Sequence, residues 1–531
     1  MTDAEQPLSA WAPLRIPVFR MLFIAMVVSN VGTWMQMVGA QWLLIDQPNA
    51  TALIAFIQTA MTLPMALFAM PAGIIADNVD RRRMLVIVQS ATLAVATVLA
   101  ALVLRGSIQP YVLLLLLFAL GVGTAFSWVP FQSSIVELVP REQMPMAAAM
   151  TGISANIARA IGPALAGVLV AQFGTGLVFA LNVACVAFYV VAVVRWKPLP
   201  RVRTSTPEPF APAFVAGLRY VRHSPHLRAL LTRVALFTVP AQAIWALLPV
   251  VAKRQLHLEV DAYGILLAAI GVGAVTAAGS IPQMRQRWRV NGTVGIGMLA
   301  YATALIGLSF ASTLAQAVPL LTIAGFGWIG TLSTIGGSLQ LYLPGWVRSR
   351  AGALNTLVLF GGQALGAAIW GALPSVMSLQ QTYWLAAGVI LAASTLAVVR
   401  PLRAVEDLDR TPASYWPTPD PQFDPADAGG TVLITIEYRV PEANVSAFVA
   451  ALAPVRITRL RTGGYNWQLQ RDVEDPTRFI ESYEAHTWEE HMRAHEARLT
   501  ESDREYERIV GDLVEERMRV QHFIRTEVPK L

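Results

Sequence analysis

The chain has 531 residues and a net charge of +6, yet only 14% of its residues are charged, against roughly 25% in an ordinary soluble domain. Residues 21–44, 47–76, 84–104, 106–136, 160–194, 290–347 and 351–399 contain no Asp, Glu, Lys or Arg. Such runs exclude a simple soluble protein, because a spanning helix needs about 20 apolar residues and has no water around it to solvate a charge. The single cysteine, Cys185, excludes an intramolecular disulfide. The arginines sit in short loops between apolar runs, so membrane topology explains them and no nucleic-acid partner is expected.

In chain order, Met1–Ala10 lacks the basic-then-apolar pattern of a cleaved signal peptide, so the first helix is expected to stay in the fold. The apolar pattern predicts twelve spans, near 20–44, 52–76, 84–104, 110–135, 146–172, 175–195, 227–252, 262–282, 292–312, 315–340, 351–375 and 380–400. Phe173-Gly174-Thr175 is one expected break. Arg81–Arg83, Arg141, Lys197, Arg219, Arg285–Arg289, Arg348 and Arg400 fall on one side, and Arg105, Lys253 and Arg254 on the other. The excess of positive charge places the first side, with both termini, in the cytoplasm.

The two halves look alike. Pro17-Val18-Phe19-Arg20 aligns with Pro225-His226-Leu227-Arg228, Val139-Pro140 with Leu343-Pro344, Gly162 with Gly366 and Gly167 with Gly371. Such a repeat implies two helical bundles facing one central cavity. The organisation expected is an N-terminal six-helix bundle (1–200), a cytoplasmic loop (201–225), a second bundle (226–400) and a proline-rich linker (401–430). A soluble domain (431–531) follows. The fold class is therefore an all-α membrane protein of twelve transmembrane helices in two six-helix pseudo-repeats, with a small cytoplasmic α+β, ferredoxin-like domain.

The loop after the second span reads Gly73-Ile74-Ile75-Ala76-Asp77-Asn78-Val79-Asp80-Arg81-Arg82-Arg83. An Asp at a cytoplasmic helix end, four residues before arginines, can charge-pair with a neighbouring helix as bundles rock. Without that spacing the arginines would read as topology-setting charge alone. The segment resembles the signature loop of the major facilitator superfamily through Gly73, Asp77, Arg81 and Arg82. Asn78 stands where that family usually has Arg, and Asp80 where it usually has Gly. The resemblance implies a conformational-switch role. The second-half loop, Gly279–Arg289, keeps its arginines but has no Asp.

The fifth span carries Arg159-Ala160-Ile161-Gly162-Pro163-Ala164-Leu165-Ala166-Gly167. Small residues allow close helix approach and Pro163 bends the helix. Arg159, Gly162, Pro163 and Gly167 resemble the family's exporter and antiporter signature; small-residue packing is the plainer reading. Arg159 is an intramembrane charge, and such groups are costly enough to suggest a role. Its repeat partner is Gln363. Gly32-Thr33-Trp34-Met35-Gln36 and Leu138-Val139-Pro140-Arg141 resemble the enterobactin-exporter-like efflux branch. That resemblance implies a bacterial inner-membrane exporter, coupled to protons. Relatives often carry Asp where Thr33 stands, and no Asp or Glu falls mid-span here. Asp46 and Glu137 are weak coupling candidates, with solvated interface charges as the plainer reading.

Asn30, Trp34, Gln36, Gln41, Gln58, Gln242, Trp245, Asn355 and Gln363 are candidate cavity-lining groups. Scattered amides and indoles suit amphipathic organic molecules better than sugars or phosphates. The alternative is that they pack helices. Expected partners are therefore a small-molecule substrate, protons and the lipid bilayer. The chain has no Gly-x-x-x-x-Gly-Lys-Ser/Thr loop, which argues against ATP drive. An importer or lipid flippase of the same superfamily is the competing direction.

After the linker, strands are expected at Thr431–Val440, Trp467–Arg471, Arg478–Tyr483 and Arg519–Glu527. Helices are expected at Glu442–Ala453, Trp488–Leu499 and Ser502–Glu516. Arg478-Phe479-Ile480-Glu481-Ser482-Tyr483 and Thr487-Trp488-Glu489-Glu490-His491 resemble the antibiotic-biosynthesis-monooxygenase-like dimeric α+β barrels. The resemblance implies a homodimer through residues 431–531, with a dimerising or sensing role. Cofactor-free oxidation or haem chemistry is the alternative, and no catalytic residue is assigned. His491 and His495 share a helical face and form half a metal site. No third ligand is evident, so no metal or cofactor is expected.

Overall fold

The computed structural model describes residues 11–197, 210–402, 408–416, 419, 422–423, 430–515 and 519–525. Within the helices, the side chains of Asp77, Asn78, Glu137 and Arg141 lie outside this description.

Among the described residues, twelve helices of 13 residues or more occupy the region up to residue 399. They are α1 (Pro17–Leu43), α2 (Ala50–Asn78), α3 (Arg81–Leu104), α4 (Pro110–Leu138), α5 (Met144–Phe173) and α6 (Thr175–Arg195). Then come α7 (Phe210–Arg222), α8 (Pro225–Val250), α9 (Val260–Leu308), α10 (Leu314–Tyr342), α11 (Gly345–Ala372) and α12 (Leu379–Val399). Ten helices among the described residues are long and apolar enough to cross a membrane. The helix α7, with arginines in its last turn, is not one of them. The expected eighth and ninth spans both fall in α9, a 49-residue stretch that a kink at Arg289, where the backbone is not helical and φ is 53°, divides into two helices. Gly174, with φ of 78°, makes the expected break between α5 and α6. That left-handed conformation suits glycine because no Cβ is there to clash.

The outward faces of these helices are apolar. Leu104, Leu115, Phe173, Val272 and Phe310 are all exposed. In water such a surface would be an aggregation site; in a bilayer it is solvated by acyl chains.

The chain divides into two compact units. The first holds residues 1–207, 231–336 and 355–402; the second holds 208–230, 337–354 and 403–531. In the first, α5 packs along α9 and α1, and α2 along α4. Close approach is set by small residues. A Cβ on Gly162 would meet the Trp34 Cβ at 2.6 Å and the Val31 carbonyl oxygen at 3.1 Å. A Cβ on Gly366 would meet the Val239 carbonyl oxygen at 2.4 Å and the Gln242 Cβ at 2.9 Å. The glycines differ by 204 positions and their neighbours by 208, so the repeat seen in the sequence recurs as one contact made twice.

The second unit contains a four-stranded antiparallel sheet. Its strands are β1 (Val432–Arg439), β2 (Tyr465–Arg471), β3 (Arg478–Ala485) and β4 (Arg519–Ile524), in the order β2-β3-β1-β4. Its helices are α13 (Val445–Thr462), α14 (Trp488–Arg493) and α15 (Glu501–Gly511). This β-α-β-β-α-β order is the split arrangement of ferredoxin-like folds. Alternate β1 residues Val432, Ile434, Ile436 and Tyr438 are buried against Phe448, Leu452 and Val455 of α13, as the period of two requires. The expected helix end near Ala453 is corrected: α13 runs through Pro454 to Thr462 and stops at Gly463. A π-helical turn, Ala494–Arg498, follows α14.

Candidate functional site

In the first unit, three predicted residues come together. The Arg159 guanidinium lies 5.7 Å from the Trp34 ring centroid and 5.8 Å from that of Trp245. The two indoles are 5.9 Å apart. Gly162, one turn beyond Arg159, lets α5 approach α1 closely enough to seat Trp34. Arg159 Nε and Nη1 are buried and have no hydrogen-bond partner among the described residues.

Contrast Arg233, another buried arginine. It donates to the Asn291 Oδ1 at 3.0 Å and to the Arg400 carbonyl oxygen. That is the usual treatment of a buried cation: each N–H finds an acceptor. Arg159 instead has π faces, which attract a cation but leave its N–H groups unsatisfied. The aromatic wall continues beyond what sequence reading found. Trp245 meets Trp328 at 5.9 Å, and Trp328 meets Tyr301 and Phe237. Trp328 lies in an uncharged run, where an indole reads as generic core.

The amides divide into two groups. Asn30 donates to Ser154 Oγ at 3.2 Å, Gln36 accepts from Asn182, and Gln41 accepts from the Tyr263 hydroxyl at 2.7 Å. These three tie α1 to α5, α6 and α9 and are spent on packing. Gln242 is buried with its Oε1 unpartnered, three residues from Trp245 on the same helix. Gln58 is buried, whereas Asn355 and Gln363 are half-buried. Pro163 and Gly167 pack against α9: the Pro163 carbonyl oxygen faces Gly264, and a Cβ on Gly167 would meet the Val260 carbonyl oxygen at 2.8 Å.

The signature loop is built by capping. Gly73 and Asp77 lie in the last turns of α2. Asp80, where the family pattern has Gly, is the N-cap of α3 and accepts from the Arg83 amide at 2.7 Å. Arg82 donates to the carbonyl oxygens of Val193 and Val194 at the end of α6. A cation there is favoured by the helix dipole. Asp46 is exposed in the turn before α2.

In the second unit, a charge network is largely buried. Arg459 donates to Glu481 at 3.1 Å and pairs with Glu507, while its guanidinium stacks 4.3 Å from the Trp416 ring centroid. Glu481 also accepts from the Tyr438 hydroxyl at 2.6 Å and Trp467 Nε1 at 2.8 Å. On the same unit, Arg219 of α7 pairs with Glu490, and Arg461 pairs with Asp503 and lies 5.8 Å from the Tyr220 ring.

Comparison with known proteins agrees with this architecture. Residues 8–530 match the family described as transmembrane secretion effector. The chain is 22% identical over 310 residues to the staphyloferrin A transporter of Staphylococcus aureus, covering 57% of this chain and 77% of that protein. It is 24% identical over 368 residues to the enterobactin exporter of Salmonella typhimurium, covering 68% and 87%. Among solved structures, the nucleoside transporter NupG superposes with a TM-score of 0.57 at 11% identity, over 72% of this chain and 98% of that one. A bacterial homologue of the lysosomal transporter Spinster does so with 0.54 at 13%, over 72% and 95%. At such identities the structural likeness speaks for the fold alone. The chain belongs to the transmembrane secretion effector family of major facilitator transporters.

Proposed function

We propose that this transporter exports small amphipathic organic compounds that carry an anionic group, by alternating access between two six-helix bundles. The observation that carries the reading is Arg159, held between Trp34 and Trp245 with unpartnered N–H groups. A guanidinium with free donors beside indoles suits a carboxylate or phenolate attached to an aromatic or aliphatic body. Siderophore-like or secondary-metabolite cargo is consistent with the exporter relatives.

Twelve spans follow from α9 being two. At 1.5 Å per residue its 49 residues would extend about 74 Å, more than twice the bilayer core. The 21-residue α12 supplies the last span. The charge bias then favours an inner-membrane protein with cytoplasmic termini and a cytoplasmic α+β domain at 431–531, capable of dimerisation. Proton coupling rests on the family resemblance, with Asp77 and Glu137 as carriers to test; Asp46 is exposed in the turn before α2. The second reading is a monooxygenase-like modifying domain, supported only by the β2-β3-β1-β4 sheet of the second unit.

The test is transport by inside-out vesicles of an aromatic carboxylate probe and its neutral methyl ester. Uptake of the acid, abolished by an uncoupler and absent in Arg159→Gln, supports export of anions. Equal handling of acid and ester refutes the anionic cargo. Uptake only in right-side-out vesicles refutes the direction.

A further inference from the structure

The second unit holds a group of side chains that neither transport nor the Arg459 network uses. His491 on α14, His495 in the π-helical turn and His522 on β4 converge, each offering a ring nitrogen, and these nitrogens lie within 4.8 Å of one another. The ring centroids of His491 and His495 are 4.9 Å apart, and those of His491 and His522 are 4.8 Å apart. His491 and His495 are buried and His522 is half-buried. The Nε2 atoms of His491 and His522 are buried without a hydrogen-bond partner.

We infer that His491, His495 and His522 form a binding site for one divalent first-row transition-metal cation, of the zinc type, with one coordination position open. Two arguments support this. First, orphaned buried imidazole nitrogens cost free energy, whereas a metal would satisfy each lone pair. Second, the ligand set is right: imidazole suits Zn²⁺, Cu²⁺ and Ni²⁺, and three His with an open position is an established zinc arrangement. With Zn–N bonds of about 2.0–2.1 Å, tetrahedral ligands stand about 3.3 Å apart, so closure by side-chain rotation over an ångström or so completes the site.

The surroundings are compatible with a cation. Arg459, near the cluster, is held between Glu481 and Glu507. Two carboxylates around one guanidinium leave a net negative group. Trp416 stacks edge-on against His495 at 4.6 Å, and Trp488 packs on His491 and His522. These indoles wall the cluster, as apolar shells do around metal centres. The π-helical turn matters too. It supplies His495 from a widened turn, and such turns recur at functional sites.

The experiment uses the full chain, purified in detergent through a tag free of histidine, stripped with a chelator and titrated with Zn²⁺ by calorimetry. A parallel Co²⁺ titration reads coordination geometry from the visible spectrum. The expected result is one equivalent per chain, tetrahedral cobalt bands and a rise in melting temperature on adding Zn²⁺. His491→Ala and His522→Ala should each weaken binding by roughly 100-fold or more, since even the loss of an outer-shell partner costs 10–100-fold. His486→Ala, which removes a histidine stacked on Tyr465 elsewhere on the domain, should bind as the parent does. Absence of saturable Zn²⁺ and Co²⁺ binding by the parent chain overturns the proposal, and this reading needs no variant to fold. So does binding that survives in the His491→Ala/His522→Ala double variant, which would put the metal elsewhere.

Discussion

Replacing Arg159 separates a transport role from a structural one. Its guanidinium sits over two indoles, and its Nε and Nη1 have no acceptor. Each cation–π contact contributes about 0.5–2 kcal/mol, according to how dry it is. Against this stands the desolvation of a buried charge, which costs several kcal/mol per ion. Without cargo the balance is unfavourable or near zero. Arg159→Gln should therefore leave the melting temperature of the purified protein unchanged or raise it. With an anionic cargo the sign reverses. A charge-assisted hydrogen bond is worth about 1.5–3 kcal/mol, so losing it should raise KM about 10- to 150-fold at 1.4 kcal/mol per decade. Arg159→Lys keeps the charge but not the planar fork or stacking, and should fall between. The assay is initial-rate transport of an acid and its methyl ester in proteoliposomes with matched protein content. A large fall in melting temperature on Arg159→Gln, with acid and ester equally affected, would refute the reasoning. Arg159 would then be holding helices together.

Three further outcomes follow from particular contacts. Gly162→Ala drives a Cβ to 2.6 Å from the Trp34 Cβ, an atom fixed by its own backbone; this overpacking should cost about 1–3 kcal/mol and lower the melting temperature and transport together. A variant as stable and active as the parent would show that α5 does not press on α1 there. Arg459→Met leaves Glu481, which is 0% exposed, without its cation. Breaking such a pair costs about 3–5 kcal/mol, so hydrogen exchange of β1 and β3 amides should accelerate by roughly two to four powers of ten, with partial recovery in Arg459→Met/Glu481→Gln. Unchanged exchange would contradict this. Finally, Asp472 and Asp475 are held below the usual carboxylate range. Asp472 accepts from the Glu474 and Asp475 amides, and Asp475 accepts from the Thr477 hydroxyl and amide. The folded turn therefore binds fewer protons than the unfolded chain. Its stability is present above about pH 4, near the 3.8 of an ordinary Asp, and is lost as pH falls further. Amide exchange in residues 472–477 should rise on acidification, and Asp475→Asn should flatten that rise. An acid-insensitive turn in the parent chain would refute it.

The helical framework is legible because the bilayer enforces it residue by residue. The first six helices begin and end within three residues of the expected spans. The reading fails where local rules are overruled. Arg285, Arg287 and Arg289 look like a loop between two spans, yet the chain stays helical and bends only at Arg289. Pro454 looks like a helix stop, yet α13 continues through it to the glycine. Asp80 looks like a departure from a family pattern that favours Gly, yet it is a helix cap, which Asp does well.

Sites are less legible than spans for a related reason. A polar residue inside an apolar run is equally a packing device or a binding group, and only its partner tells which. Asn30, Gln36 and Gln41 found partners on neighbouring helices; Arg159 did not. Their positions in sequence are indistinguishable in kind. The same applies to the histidines. His491 and His495 are visible as a helical pair, but His522 joins them only because β4 pairs with β1 and sets it opposite Ile434. Strand pairing at long range is the step least determined by local pattern, and it is the step that turns half a site into a whole one. The strongest functional signal in this chain is therefore not a motif. It is the small set of buried polar groups that the fold leaves unsatisfied, because the free energy they cost must be offset by something that binds them.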